Sequence, residues 1–125
     1  MSVIIWNKEK GEAIALGKAK AIKDKTTITA NKIVAILNKN SSNQQIKKLV
    51  ATGKITFKRE GETVTGQEAI YNIEKDIIVV KGNVNLIRDD NIMLGETLII
   101  NLKTGLSKLS GSQSNKKVKM KYNVE

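Results

Sequence analysis

The sequence predicts an all-β chain: one antiparallel sheet of long strands, creased along a line of small residues and folded over on itself. Three observations lead there. Apolar and polar residues alternate through most of the 125 residues, the period-two pattern of strands with one buried face. Glycines recur at a near-fixed spacing, Gly17, Gly53, Gly82 and Gly111 being 36, 29 and 29 residues apart, which marks an internal repeat. Short polar clusters punctuate the alternating runs where turns belong.

The elements follow in order. The chain enters in the middle of a repeat, since Ile4-Ile5-Trp6-Asn7 matches Ala69-Ile70-Tyr71-Asn72. In the first full unit, Ala19 and Ala21 follow Gly17, Lys23-Asp24-Lys25 supplies a turn, and Ile33, Ala35 and Leu37 follow Ala30. The polar tract from Asn38 to Gln45 accounts for the longer first spacing and reads as an extended loop. In the second unit, Ile55 and Phe57 follow Gly53, Arg59-Glu60-Gly61 turns the chain, and Ala69, Tyr71 and Ile73 follow Gly66. In the third, Val84 and Leu86 follow Gly82, Arg88-Asp89-Asp90-Asn91 turns the chain, and Leu98, Ile100 and Leu102 follow Gly95. Ile28, Val64, Ile78 and Val80 belong with the same inward set. A second kind of turn recurs at Asn7…Lys10-Gly11, Asn72…Lys75-Asp76 and Asn101…Thr104-Gly105.

Hairpin arithmetic sets Gly17 opposite Ala30, Gly53 opposite Gly66 and Gly82 opposite Gly95. Across the second turns it sets Trp6 opposite Ala15, Tyr71 opposite Val80 and Ile100 opposite Leu109. Small residues paired across strands make a crease. The two halves of such a sheet either close into a β-sandwich or stand apart as an apolar trough, and the residues alone leave both open. Past Gly111, residues 112–125 are a basic tail or an edge strand guarded by lysines.

Composition narrows the chemistry. Cys and His are both absent, which removes disulfides, zinc sites, thiol nucleophiles and His-based acid–base catalysis. The four aspartates, Asp24, Asp76, Asp89 and Asp90, all fall at turns. No catalytic residue, metal ligand or cofactor is therefore expected. The net charge of +10 favours anionic partners. Aromatics are only 3%, too sparse for a platform on which bases stack. No run of 18 apolar residues occurs, and the N-terminus lacks the apolar segment of a signal peptide.

The stretch Gly66-Gln67-Glu68-Ala69-Ile70-Tyr71-Asn72-Ile73-Glu74-Lys75-Asp76 runs on through Ile77-Ile78-Val79-Val80-Lys81 to Gly82-Asn83-Val84-Asn85-Leu86. With Asp90-Asn91-Ile92-Met93-Leu94-Gly95-Glu96-Thr97-Leu98 and Asn101-Leu102-Lys103-Thr104-Gly105, it resembles the OstA-like family, the jellyroll superfamily of LptA, LptC and the LptD N-terminal region. A weaker copy is Ala13-Ile14-Ala15-Leu16-Gly17-Lys18-Ala19-Lys20, and the likeness spans Ile4 to Gly111. It implies one β-jellyroll domain over residues 1–125, left open along one side as a β-taco. It also implies a periplasmic bridge that carries lipopolysaccharide through a hydrophobic groove between the inner and outer membranes.

Implied partners are the lipid A acyl chains, LptC-like and LptD-like jellyroll domains, and further copies joined head to tail, with no nucleic acid. The family has no catalytic residues. The short length, the mid-repeat start and the basic charge depart from the family pattern and leave LptA, LptC and the LptD N-terminal region all open. The groove would be lined by the inward residues named above, from Ala19 to Leu102. A basic β module for nucleic acid or another polyanion, and a self-assembling structural β-repeat, are the competing classes.

Overall fold

The structure, a computed structural model, describes residues 3–38, 45–111 and 119–121. Among them are nine strands: β1 (Val3–Asn7), β2 (Glu12–Lys23), β3 (Thr26–Leu37), β4 (Ile46–Arg59), β5 (Glu62–Asn72), β6 (Ile77–Arg88), β7 (Asn91–Asn101), β8 (Ser107–Ser110) and β9 (Lys119–Lys121). They form one sheet in which β1 to β8 lie in sequence order, while β9 pairs with β7. All pairs are antiparallel. β8 lies along Thr97–Ile100 and β9 along Ile92–Leu94. Of the polar tract between β3 and β4, residues 39–44 lie outside the described residues. Its ends are joined by the Asn38 amide donating to the Gln45 carbonyl at 2.9 Å.

The crease is a row of β-bulges. On β2, Gly17 and Lys18 stand opposite Asn31 alone, between the pairs Leu16–Lys32 and Ala19–Ala30. On β4, Gly53 and Lys54 stand opposite Gln67, between Thr52–Glu68 and Ile55–Gly66. On β6, Gly82 and Asn83 stand opposite Glu96, between Lys81–Thr97 and Val84–Gly95. An extra residue on one strand bends it and strengthens its twist. Gly82 has φ +88° and Asn83 φ 46°, the left-handed region that favours glycine and tolerates asparagine. At Gly66 the constraint is close approach: an added Cβ would lie 2.5 Å from Val80 Cγ1.

The observed register corrects the expected one. Gly66 meets Ile55, Gly95 meets Val84 and Ala30 meets Ala19, rather than the leading glycines. Across the second turns, Trp6 meets Ala13, Tyr71 meets Ile78 and Leu98 meets Leu109. Every pairing is displaced by two residues. The first kind of turn is centred one residue later than expected, with Asp24 and Asp89 in the left-handed region at φ 54° and 55°. Side chains alternate across a strand, so a two-residue displacement leaves each on its expected face. A one-residue displacement would have inverted them all.

The bulges divide each long strand between two leaves. Segments 19–29, 55–65 and 84–95, with β9, make the first leaf. Segments 3–16, 32–38, 45–52, 68–81 and 97–110 make the second. Buried side chains from both leaves form a single cluster, which is what folding the sheet over requires. Phe57, Val64 and Val84 of the first leaf and Ile78, Val80, Leu98 and Ile100 of the second expose no surface. Each buried side chain of this size is worth ~1.5–3 kcal/mol. Among the described residues, Glu62 is the one buried charge. Arg88 reaches it at 2.6 and 2.8 Å and Arg59 at 3.2 Å, so the charge is not left unpaired.

Candidate functional site

The two leaves do not meet equally along the sheet. Under β4 to β7 the interior is filled by Ile55, Phe57, Val64, Leu86, Leu98 and Ile100. Under β1 to β3 the inward positions carry Ala13, Ala15, Ala19, Ala21 and Ala35, and methyl groups cannot reach across to the opposing leaf. The result is a cavity of about 610 Å³. Ile4, Trp6, Ala13, Ala15, Ile33, Ala35, Leu49, Tyr71 and Ile73 line it from the second leaf, and Ala21 and Ile28 from the first. Ile14, Lys20, Ile22, Lys23, Thr26, Gln45 and Ile46 complete its border. Its far limit is the closed core.

Of the inward residues read from the sequence, Ala21, Ile28, Ile33, Ala35, Tyr71 and Ile73 line this cavity. Ala19, Ile55, Phe57, Val64, Ala69, Ile78, Val80, Val84, Leu86, Leu98 and Ile100 instead pack against one another in the buried cluster. Leu37 is buried at the end of β3. Leu102 lies past β7, beside a second, polar cleft of about 560 Å³ at the turn ends of the strands. The sequence reading missed Ile4, Trp6, Ala13, Ala15 and Leu49. Their signal was present: Ala13-x-Ala15 continues the alternation of Ala19-x-Ala21 backward through Gly17, and Leu49-x-Ala51 does the same before Gly53.

The cavity opens at an edge of the sheet. β1 pairs with β2 on one side only, and on that strand Ile4 is 76% and Trp6 55% exposed. Such a strand offers both an apolar surface and an unpaired row of backbone groups. β1 covers β2 only from Glu12 to Leu16, so on the first leaf β2 itself forms the border.

At the seam where the turn ends of the leaves approach, polar groups bridge them. Lys23 Nζ lies 3.3 Å from the Tyr71 hydroxyl and 3.4 Å from Asp76 Oδ1, and the Tyr71 hydroxyl lies 3.3 Å from the same oxygen. Burial pushes the Tyr71 phenol above its ordinary value, with Lys23 acting the other way. Desolvation works against the charge on Lys23, but the Tyr71 hydroxyl and the Asp76 carboxylate together outweigh it and hold Lys23 above the ordinary lysine value.

No group of His, Cys, Asp or Glu among the described residues is arranged to hold a metal ion. What the site can do chemically is take a slender apolar body out of water.

Comparison with known proteins gives the same direction. A search of curated proteins finds no match. Among solved structures, the chain is similar to the crystal structure of LptH, the LptA-homologous periplasmic component of the lipopolysaccharide transport device of Pseudomonas aeruginosa. The TM-score is 0.84 at 12% identity, covering 98% of this chain and 91% of that one. At that identity the likeness establishes the shared fold, the open β-jellyroll, or β-taco. The family described as LptA/(LptD N-terminal domain) LPS transport protein matches residues 4–106, a family of transport proteins rather than enzymes. That match takes in most of the folded-over sheet described above: the chain belongs to the LptA/LptD N-terminal domain family of lipopolysaccharide transport proteins.

Proposed function

We propose that this chain is a periplasmic bridge protein that holds lipid A acyl chains between its two leaves and passes lipopolysaccharide from an LptC-like to an LptD-like jellyroll domain. The observation that carries the reading is the cavity of about 610 Å³ with aliphatic and aromatic walls, open at the β1 edge. Each methylene moved from water into it is worth ~0.8 kcal/mol, so a few turns of acyl chain give a strong driving force. Its polar lining residues, Lys20, Lys23, Thr26 and Gln45, lie at its border, and the aliphatic walls between them suit a carrier that must also release.

Head-to-tail assembly belongs to the same reading. The exposed β1 strand at one edge and β8 with β9 at the other could each add a strand from another jellyroll, through backbone hydrogen bonds. Stacked copies would extend the trough. The domain would run over the whole chain, with β9 at the far edge; the rest of the expected tail, residues 112–118 and 122–125, lies outside the described residues.

Photo-crosslinking tests the reading. Probes at Ile33 or Ala35 should label lipopolysaccharide, and probes at the outward Lys32 and Glu68 should not. Labelling from the outward positions alone would sink the groove. The +10 charge leaves polyanion binding as the rival, which mass action with salt separates. Phosphate contacts release counterions and weaken steeply with salt, whereas acyl chains held by burial stay bound.

A further inference from the structure

Resting on that lipid reading, we infer that Lys23, Tyr71 and Asp76 form a latch across the seam which a lipid must release to move from the open cavity toward the far end of the sheet. The strands concerned are not neighbours: β3 and β4 lie between β2 and β5. Lys23 belongs to the first leaf and Tyr71 to the second. Their contact therefore exists only because the sheet is folded, and it ties the free margins of the two leaves.

The placement of Lys23 is itself a signal. Ala19 and Ala21 point inward, so Lys23, two further along the same strand, stands on the inner face where the pattern calls for an apolar residue. Its ammonium lies 5.7 Å from the Tyr71 ring centroid, close enough for a cation–π attraction, and is within reach of both oxygens named above.

The latch stands at a boundary. On one side is the apolar cavity. On the other is the polar cleft of about 560 Å³, lined by Lys25, Arg59, Glu60, Asp76 and Leu102 among others. Lys23, Thr26 and Tyr71 belong to the walls of both. Beyond the latch, the interior is the closed core. An amphiphile with its chains between the leaves must let its hydrophilic head project through the seam. Travelling along the sheet, that head meets the Lys23 bridge before anything else can part the leaves.

The bridge is suited to opening. Its contacts are long, 3.3 to 3.4 Å, and the Lys23 and Asp76 side chains are 43% and 27% exposed. Such pairs are weak and readily exchanged for water. The contrast with Glu62 and Arg88, at 2.6 Å with the Glu62 side chain 4% exposed, is plain. That pair joins neighbouring strands of one leaf and has no need to part.

The test uses the absence of native cysteine. In the full chain, Lys23→Cys and Asp76→Cys are joined by a short bis-methanethiosulfonate linker that reductant removes. Trp6, the single tryptophan, reports entry of purified lipid A into the cavity by its emission. A photoreactive residue at Leu109, packed against the far end of the core, reports arrival there. At lipid A concentrations that give equal Trp6 responses, the linked protein should show far-end labelling at least tenfold below that of the same protein after reduction. Lys23→Met without a linker, which removes both contacts of the ammonium, should speed far-end labelling ~3–5-fold, the scale of releasing an exposed polar pair. Equal labelling in linked and reduced protein would overturn the latch while leaving the lipid reading intact. Absence of a Trp6 response in both would overturn the lipid reading and the latch with it.

Discussion

Lys23 on β2 and Tyr71 on β5 meet at 3.3 Å, although two strands of the sheet separate them. This one distance records that the ribbon has been turned back on itself, since no flat sheet could bring them together. It also places an ionisable pair where the two leaves must part if anything bulky is to pass between them.

Both members of that pair hold their protons more tightly in the folded chain than their ordinary values of 10.5 and 10.0. Their contribution is therefore complete below about pH 10 and is lost as pH rises through the raised values. The difference in melting temperature between the parent and Tyr71→Phe should hold steady below about pH 9 and narrow as pH rises above about 10. A constant difference over that range would disprove the coupling.

Filling the cavity should separate binding from folding. Ala35→Phe projects into the open space under β3, where there is room for a ring. Lipid A affinity should fall by ~10-fold or more, the equivalent of about two methylenes denied burial. Stability should change by less than ~1.5 kcal/mol because nothing is overpacked. A melt and a Trp6 titration on the same sample measure both.

The crease makes a different demand. Gly82 has φ +88°, and a Cβ added there would collide with the Gln67 side chain. Gly82→Ala should cost ~1–3 kcal/mol. Gly61→Ala, at φ +73° with nothing within 4 Å, should cost only the strain of its backbone. Gln67→Ala combined with Gly82→Ala should recover part of the loss, as denaturant melts would reveal.

Glu62 is buried between Arg59 and Arg88. Arg59→Met combined with Arg88→Met should destabilise by ~3–5 kcal/mol, because it leaves the Glu62 carboxylate charged and unpaired at a buried site. Lys23→Met, which breaks the partly exposed ion pair instead, should cost under ~1 kcal/mol. Comparable losses from the two would contradict the difference in burial on which the comparison rests.

Much of this architecture was legible in the residues, and the limits have physical causes. The glycine period and the alternation gave the strands, the turns and the inward faces. They even carried the crease: Ala30 to Ile33, Gly66 to Ala69 and Gly95 to Leu98 are odd steps, and each marks a change of phase on the strand facing a bulge. Register was displaced because hairpin arithmetic cannot tell where a turn is centred. The hollow was harder. It depends on which alanines face which side chains across the fold, and Ala13 and Ala15 look like ordinary sheet filler in one dimension. The Lys23 contact was out of reach, since it joins residues 48 positions apart through geometry that only the completed fold supplies.

The bulges of β2, β4 and β6 each oppose one polar residue, Asn31, Gln67 and Glu96. Each of the hairpins β2–β3, β4–β5 and β6–β7 thus repeats the same hinge, and neighbouring hinges are joined by further register shifts between β3 and β4 and between β5 and β6. Such a molecule can grow by whole modules: duplicating residues 53–81 would add two strands and one more hinge in register, lengthening the folded sheet and its packed interior without redrawing its cross-section.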